Sequence, residues 1–212
     1  MTSPVYALVP VNKIDEAKTR LSGMLSAEER KGLVLSMLCD VLDSVKGEGI
    51  EAVVISPTDL RHSLDYDFHF IHEEKKEGLN AAVKKASRYA IERGAKATLF
   101  IPADTPLLTR LHILEIMELG KTHPLIISPS SRGGTGILYR RPPFIIESRF
   151  TSTSFSDHEK ESRKRGVEMF VYDSFAISLD IDVPEDIEEF LLHGKGTKTH
   201  DFLIRVLDFP RG

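Results

Sequence analysis

The chain has 212 residues, enough for one well-formed core and too few for two full domains. Charged residues make up 28% of it, yet the formal net charge is only −4, which argues against broad adhesion to nucleic acid or anionic lipid. Its one cysteine, Cys39, has no intrachain disulfide partner, and neither a leader-like N-terminus nor an apolar run near ~18 residues is present, so a soluble, cytoplasmic protein is expected.

In chain order, Val5 to Val9 reads as a buried first strand ended by Pro10. A helix starts at Ser26, where Ser26-Ala27-Glu28-Glu29 has capping-box spacing and Leu33, Met37, Leu38, Val41, Leu42 and Val45 recur at helical intervals; Gly47 and Gly49 stop it. Glu51 to Ser56 is a second strand, Phe68 to His72 a third, and Leu79 to Arg93 a helix ended by Gly94. The most clearly buried strand follows, Ala97-Thr98-Leu99-Phe100-Ile101, running into Pro102-Ala103-Asp104-Thr105-Pro106. Then come a helix over Thr109 to Leu119, a strand from Leu125 to Ser128, a turn at Arg132-Gly133-Gly134-Thr135-Gly136, and a strand from Ile137 to Tyr139. Ser156-Asp157-His158-Glu159 opens a short polar helix, Val167 to Tyr172 is a strand, and Pro184 to Leu192 is a helix with Gly194 after its end.

This alternation predicts an α/β fold with a mixed, mainly parallel, doubly wound sheet. The main domain spans 1–194; residues 195–212 form an appendage in which Phe202, Leu203, Val206 and Leu207 give a short docking helix one apolar face.

Asp104 stands at the carboxyl end of the buried strand, where open α/β sheets bind ligands. Asp180 and Asp182 are two positions apart, so an extended chain aims both carboxylates to one side. Three such acids suit a magnesium ion that completes its shell with water and phosphate oxygens. Each also has an ordinary reading: Asp104 as a turn or cap residue before Pro106, Asp182 as the cap of the helix at Pro184, Asp180 as a solvated acid.

After the first strand, Lys13, Lys18 and Arg20 place three cations in eight residues, suited to a triphosphate and equally to a solvated basic loop. Neither a Gly-Lys-Ser/Thr phosphate loop nor a dinucleotide glycine fingerprint is present. Gly133-Gly134-Thr135-Gly136 and the hydroxyl-rich Thr151 to Ser156 are candidate anion sites or plain turns, the second capped by Ser156. His69 and His72 are expected on opposite faces of a strand, and His158 is expected to face solvent. No Ser, His and Asp set supports a covalent mechanism.

Taken together, Ala17-Lys18-Thr19-Arg20-Leu21-Ser22, Gly78-Leu79-Asn80-Ala81-Ala82, Pro102 to Leu108, Gly133-Gly134-Thr135, Phe150 with Ser154-Phe155 and His158, and Asp180 to Asp186 resemble the 2-phospho-L-lactate guanylyltransferase family of deazaflavin-coenzyme biosynthesis. That family lies within the nucleotidyltransferases of glycosyltransferase-A-like fold. The resemblance implies that Asp104, Asp180 and Asp182 bind Mg2+, that Lys18 and Arg20 face the triphosphate of GTP, that Asn80 lies near the nucleoside, and that Thr135 and Ser154 hold the phosphorylated acid. Lys18, Arg20 and Asp104 are then the catalytic residues. Two positions depart from the family: Asn12 stands where a lysine is usual, with Lys13 as its substitute, and Thr151 stands where glycine is usual.

The implied reaction joins GMP from GTP to 2-phospho-L-lactate with release of pyrophosphate. Alternatives are transfer to phosphoenolpyruvate, another phosphorylated acid or a sugar phosphate, or a noncatalytic nucleotide-binding module. The basic first loop disfavours a glycosyltransferase. Met24, Leu25 and the C-terminal apolar residues are equally compatible with a homodimer and with a monomer core.

Overall fold

The computed structural model describes residues 4–47, 49–75 and 77–207. In chain order its elements are β1 (Val5–Pro10), two 3-10 turns (Ile14–Glu16 and Thr19–Leu21), α1 (Ala27–Val45), β2 (Ile50–Ser56), β3 (His69–His72), α2 (Leu79–Glu92), β4 (Ala97–Phe100) and α3 (Arg110–Leu119). They continue with β5 (Leu125–Pro129), a 3-10 turn (Ser131–Gly133), β6 (Thr135–Arg140), α4 (Ser154–Arg165), β7 (Phe170–Val171), α5 (Phe175–Ser178), α6 (Pro184–His193) and α7 (Lys198–Val206). Among the described residues no helix is long and apolar enough to cross a membrane.

The seven strands form one sheet in the order β3-β2-β1-β4-β6-β5-β7. Strand β1 pairs in parallel with β2 and β4, β2 with β3, and β5 with β7, while β6 runs antiparallel to both β4 and β5. The alternation in β1 explains the layers. Val5, Ala7 and Val9 join the core shared with α1, α3, α6 and α7, whereas Tyr6 and Leu8 join the core under α2.

Because β6 is reversed, its first residues, not its last, lie beside the carboxyl end of β4. The register Phe100↔Leu138 therefore carries Thr135 and Gly136 toward the edge that holds Asp104. The chain after β5 turns at the same edge.

Several boundaries differ from the sequence reading. Helix α4 starts at Ser154, two residues before Ser156, because the Asp157 carboxylate in its first turn accepts the hydroxyls of Thr151 and Thr153 at 2.6 and 3.3 Å. The strand expected over Val167 to Tyr172 shrinks to Phe170–Val171. Residues there close α4 instead: Gly166 takes a left-handed φ of 64°, and the Val167 N–H returns to the Ser162 carbonyl at 3.0 Å. Thr135 lies in a strand and not in the turn before it, and α5 was not anticipated.

Helix α1 has the expected capping box, with Glu29 N–H donating to Ser26 Oγ at 3.3 Å and Ser26 N–H donating to Glu29 Oε2 at 2.7 Å. Its other face receives α7 closely, since a Cβ on Gly32 would stand 2.5 Å from the Phe202 ring. Leu203 is fully buried in the main core. The buried Asp40 on α1 fixes the start of α7 by accepting the N–H groups of Lys198 and Thr199 at 2.8 and 2.9 Å and the Thr199 hydroxyl at 2.6 Å. Replacing it leaves these donors without a partner. Asp40→Ala is expected to cost roughly 2–4 kcal/mol in urea unfolding and to remove hydrogen-exchange protection from α7 first.

Candidate active site

At the carboxyl edge of β1 and β4 lies a cleft of about 350 Å³, lined by Pro10 to Lys13, by Lys18, by the apolar side chains Val34, Met37, Leu79 and Phe100, and by Asp104 and Asp182. Its chemistry centres on Lys18. The ammonium donates to Asp104 Oδ2 at 2.5 Å and to Asp182 Oδ1 at 2.6 Å, joining residues 86 and 164 positions away. The Lys18 side chain is only 9% exposed, against 27% for Asp104 and 36% for Asp182, so the acids face the cleft from either side of a mostly buried cation.

Burial works to lower the pKa of Lys18, but Asp104 and Asp182 outweigh it and hold the ammonium above the ordinary lysine value. Burial likewise opposes ionisation of Asp182, and Lys18, followed by Arg20 and Arg132, brings its carboxyl below the usual range.

Asp180 occupies the far side of the same centre. Its carboxylate accepts a short hydrogen bond from the Ser131 hydroxyl and lies 3.8 Å from the Arg132 guanidinium. Burial raises its pKa, the Ser131 bond counteracts this, and the negative charges of Asp104 and Asp182 raise it further. Arg132 is anchored by Asp186 at 2.7 Å. The other oxygen of Asp186 accepts the N–H groups of Asp182 and Val183 at 2.8 Å each, so Asp186 caps α6 and leaves the Asp182 carboxylate free for Lys18. A backbone bond from Ile181 N–H to the Asp104 carbonyl, 3.3 Å, ties the two acidic segments together.

Among the described residues, no three His, Cys, Asp or Glu side chains converge tightly enough to hold a metal by themselves. The donor set nevertheless fits a divalent ion carried by phosphate oxygens. A cation already sits between two carboxylates with the third within electrostatic range, and magnesium commonly uses only one or two protein carboxylates.

The remaining expected residues divide. Lys13 is at the cleft mouth, paired with Glu16 at 2.6 Å. Arg20 is exposed and contributes its charge to Asp182. Asn80 bridges the backbone of Phe150, its amide donating one N–H to the carbonyl at 3.1 Å and its oxygen accepting the N–H at 2.8 Å.

Thr135 and Ser154 are brought together, with the Ser154 hydroxyl donating to Thr135 Oγ1 at 3.0 Å, and both are buried. His158, expected to face solvent, is completely buried. One turn into α4 it points inward, because Arg149 N–H donates to its Nε2 at 2.8 Å and its Nδ1 lies 3.0 Å from Thr135 Oγ1. A backbone N–H can only donate, so Nε2 is the acceptor and the ring proton sits on Nδ1. Sequence reasoning missed Ser131, Arg132, Asp186 and Arg149; only Asp186, at the third position of α6, carried a capping signal.

The fold is that of the nucleotide-diphospho-sugar transferases. A candidate enzyme of that kind from Desulfovibrio desulfuricans G20 superposes with TM-score 0.77 at 14% identity, covering 96% of each chain. The 4-diphosphocytidyl-2C-methyl-D-erythritol synthase of Anaerococcus prevotii superposes with TM-score 0.61 at 13% identity, covering 89% of this chain and 97% of that one. Residues 5–210 match the family described as "Guanylyl transferase CofC like", and the chain belongs to that family. Its relatives include the 2-phospho-L-lactate guanylyltransferases of Methanocaldococcus jannaschii, 40% identical over 92% of this chain and 86% of that one, and of Methanothermobacter thermautotrophicus, 34% identical over 94% and 90%.

His158 generates a pH prediction. Burial, reinforced by the charge of Arg140, lowers its pKa from 6.5 to about 4. A folded-state value below the unfolded one means that the unfolded chain takes up the proton first. The stabilisation is therefore complete above about pH 6.5 and is lost as the pH falls toward 4. Relative to wild type, His158→Asn should flatten the stability profile across that window, removing a pH-dependent difference on the order of 3 kcal/mol in urea midpoints.

Proposed function

We propose that this chain transfers the guanylyl group of GTP to 2-phospho-L-lactate with release of pyrophosphate, using Mg2+ held by Asp104, Asp180 and Asp182. The observation that carries the reading is the Lys18 ammonium held between Asp104 and Asp182 in a cleft at the carboxyl edge of the sheet. Membership of a guanylyl transferase family and the names of the methanogen relatives supply the substrates.

The acceptor phosphate is already an anion, so its oxygen attacks the α-phosphorus without a general base. The bond from that phosphorus to the bridging oxygen breaks, and pyrophosphate leaves with the electron pair. The barrier is the approach of two polyanions in line, which positioning and charge neutralisation lower.

Lys18 and Arg20 neutralise the triphosphate, and Lys13 at the cleft mouth adds a third positive charge in place of the lysine usual at position 12. A magnesium ion at the acids would shield the charge between the reacting phosphates. Val34, Met37, Leu79 and Phe100 give the nucleoside an apolar wall. On the acceptor side, Thr135 Oγ1 already receives the Ser154 hydroxyl and the His158 ring, so its own proton is the one available to an anionic acid.

A pyrophosphate-release screen crossing four nucleoside triphosphates with 2-phospho-L-lactate, phosphoenolpyruvate and a sugar phosphate tests the reading. GTP with 2-phospho-L-lactate is expected to be the best pair; preference for another acceptor reassigns the substrate, and GTP binding without pyrophosphate from any acceptor makes the chain a noncatalytic module. Asp104→Asn should lower turnover by about a hundredfold or more with an unchanged far-ultraviolet spectrum. Wild-type turnover in that variant at saturating magnesium would refute the metal assignment.

A further inference from the structure

The Lys18 ammonium stands where a cation between Asp104 and Asp182 would stand, within 2.6 Å of an oxygen of each. Asp104 and Asp182 share this one ammonium, and Asp180 lies close enough to sense the charge of both, so a divalent ion in place of the lysine would neutralise more of the three carboxylates than the lysine does. Arg20 and Arg132 add positive charge at Asp182, but Arg132 is anchored on Asp186 at 2.7 Å, against 3.8 Å to Asp180.

Geometry also leaves the ammonium able to depart. Lys18 lies between the two 3-10 turns of the first loop, and its side chain reaches the acids along the wall of the cleft. Four rotatable bonds let its head swing into the cleft while the backbone stays fixed. The two acids are three to four times more exposed than the lysine, so an incoming ion meets their oxygens from the open side.

We propose that Lys18 is a displaceable counter-ion: its ammonium competes with a divalent cation for the slot between Asp104 and Asp182, and once displaced it turns to the phosphate oxygens of the nucleotide. The proposal rests on the metal reading above and adds an order to it. Metal without nucleotide has to evict the lysine at a loss, whereas metal arriving with a nucleotide gives the evicted ammonium a new anionic partner. The chain would thus bind metal weakly alone and tightly with GTP.

Binding tests this without any turnover. Calorimetric titration of Mn2+ into the protein without nucleotide should show Lys18→Met, which keeps the unbranched stem one atom shorter and loses the charge, binding on the order of tenfold more tightly than wild type, because a slot held by the ammonium lowers apparent affinity by the fraction of time it is held. The same variant should bind GTP with Mn2+ more weakly than wild type. Equal or weaker Mn2+ binding by Lys18→Met overturns the displacement while leaving the metal site standing, provided Asp104→Asn abolishes binding. If neither protein binds Mn2+ with or without GTP, the metal reading fails and the proposal falls with it.

Wild-type protein supplies a second readout that does not depend on the variant folding. The rate of Lys18 reductive methylation, followed by mass spectrometry, should be slow alone, rise with saturating Mg2+, and fall again when GTP is added. A rate unchanged by Mg2+ at a concentration that calorimetry shows to be saturating contradicts displacement.

Discussion

One buried ammonium holds three distant parts of this chain in register. Lys18 comes from the loop after the first strand, Asp104 from the loop after β4, and Asp182 from the segment before α6, and the Lys18 head joins them within 2.6 Å. Removing either acid leaves a mostly buried cation with half its partners; removing the cation leaves three acids facing one another. Breaking such a set from one side is costly, whereas its presence says little about net stability, because desolvation consumes much of the attraction. The interaction is therefore better understood as fixing the positions of charges than as a source of folding energy.

The backbone records the same constraint. Among the described residues, the non-glycine positions with left-handed φ are Lys18, at 52°, and Arg132, at 61°. These are the two cations nearest the acidic centre, one on the Asp104 and Asp182 side and one on the Asp180 and Asp186 side. A left-handed conformation costs a side-chain-bearing residue roughly 1–2 kcal/mol, and it persists only where surrounding contacts determine it. Both side chains end on carboxylates, Lys18 on Asp104 and Asp182 and Arg132 on Asp186. Strain and charge coincide at the carboxyl edge of the sheet.

Much of this was legible in the sequence where a local rule decided the outcome. The capping box at Ser26 and Glu29 started α1 where expected, the apolar run before Asp104 formed a central strand, and the proline at position 184 opened α6. What could not be read was set by partners far along the chain. A lysine in a basic loop carries no local sign that two acids 86 and 164 residues away will bury it. His158 looked solvent-facing because its neighbours Asp157 and Glu159 are polar, yet the Arg149 N–H and Thr135 that claim its ring lie outside α4. Nor does a local rule show that the Asn80 amide will span the backbone of Phe150, 70 residues on.

The two halves of the candidate site follow from one topological fact, the reversal of β6. Strands entering the edge from β1 and β4 end in loops that bring ionised groups, whereas β6 begins there and brings the hydroxyl of Thr135. That hydroxyl is set in a buried, neutral network. The Arg149 N–H fixes the imidazole tautomer, the imidazole donates to Thr135, and the low pKa of His158 keeps the ring uncharged at neutral pH. A cationic ring would have to surrender the Arg149 bond, since it has no acceptor left to offer. Charge is thus concentrated around Lys18 and its acids, and oriented neutral hydroxyls stand at Thr135 and Ser154. This division suits a reaction whose difficulty lies in bringing two anions into line and not in activating either.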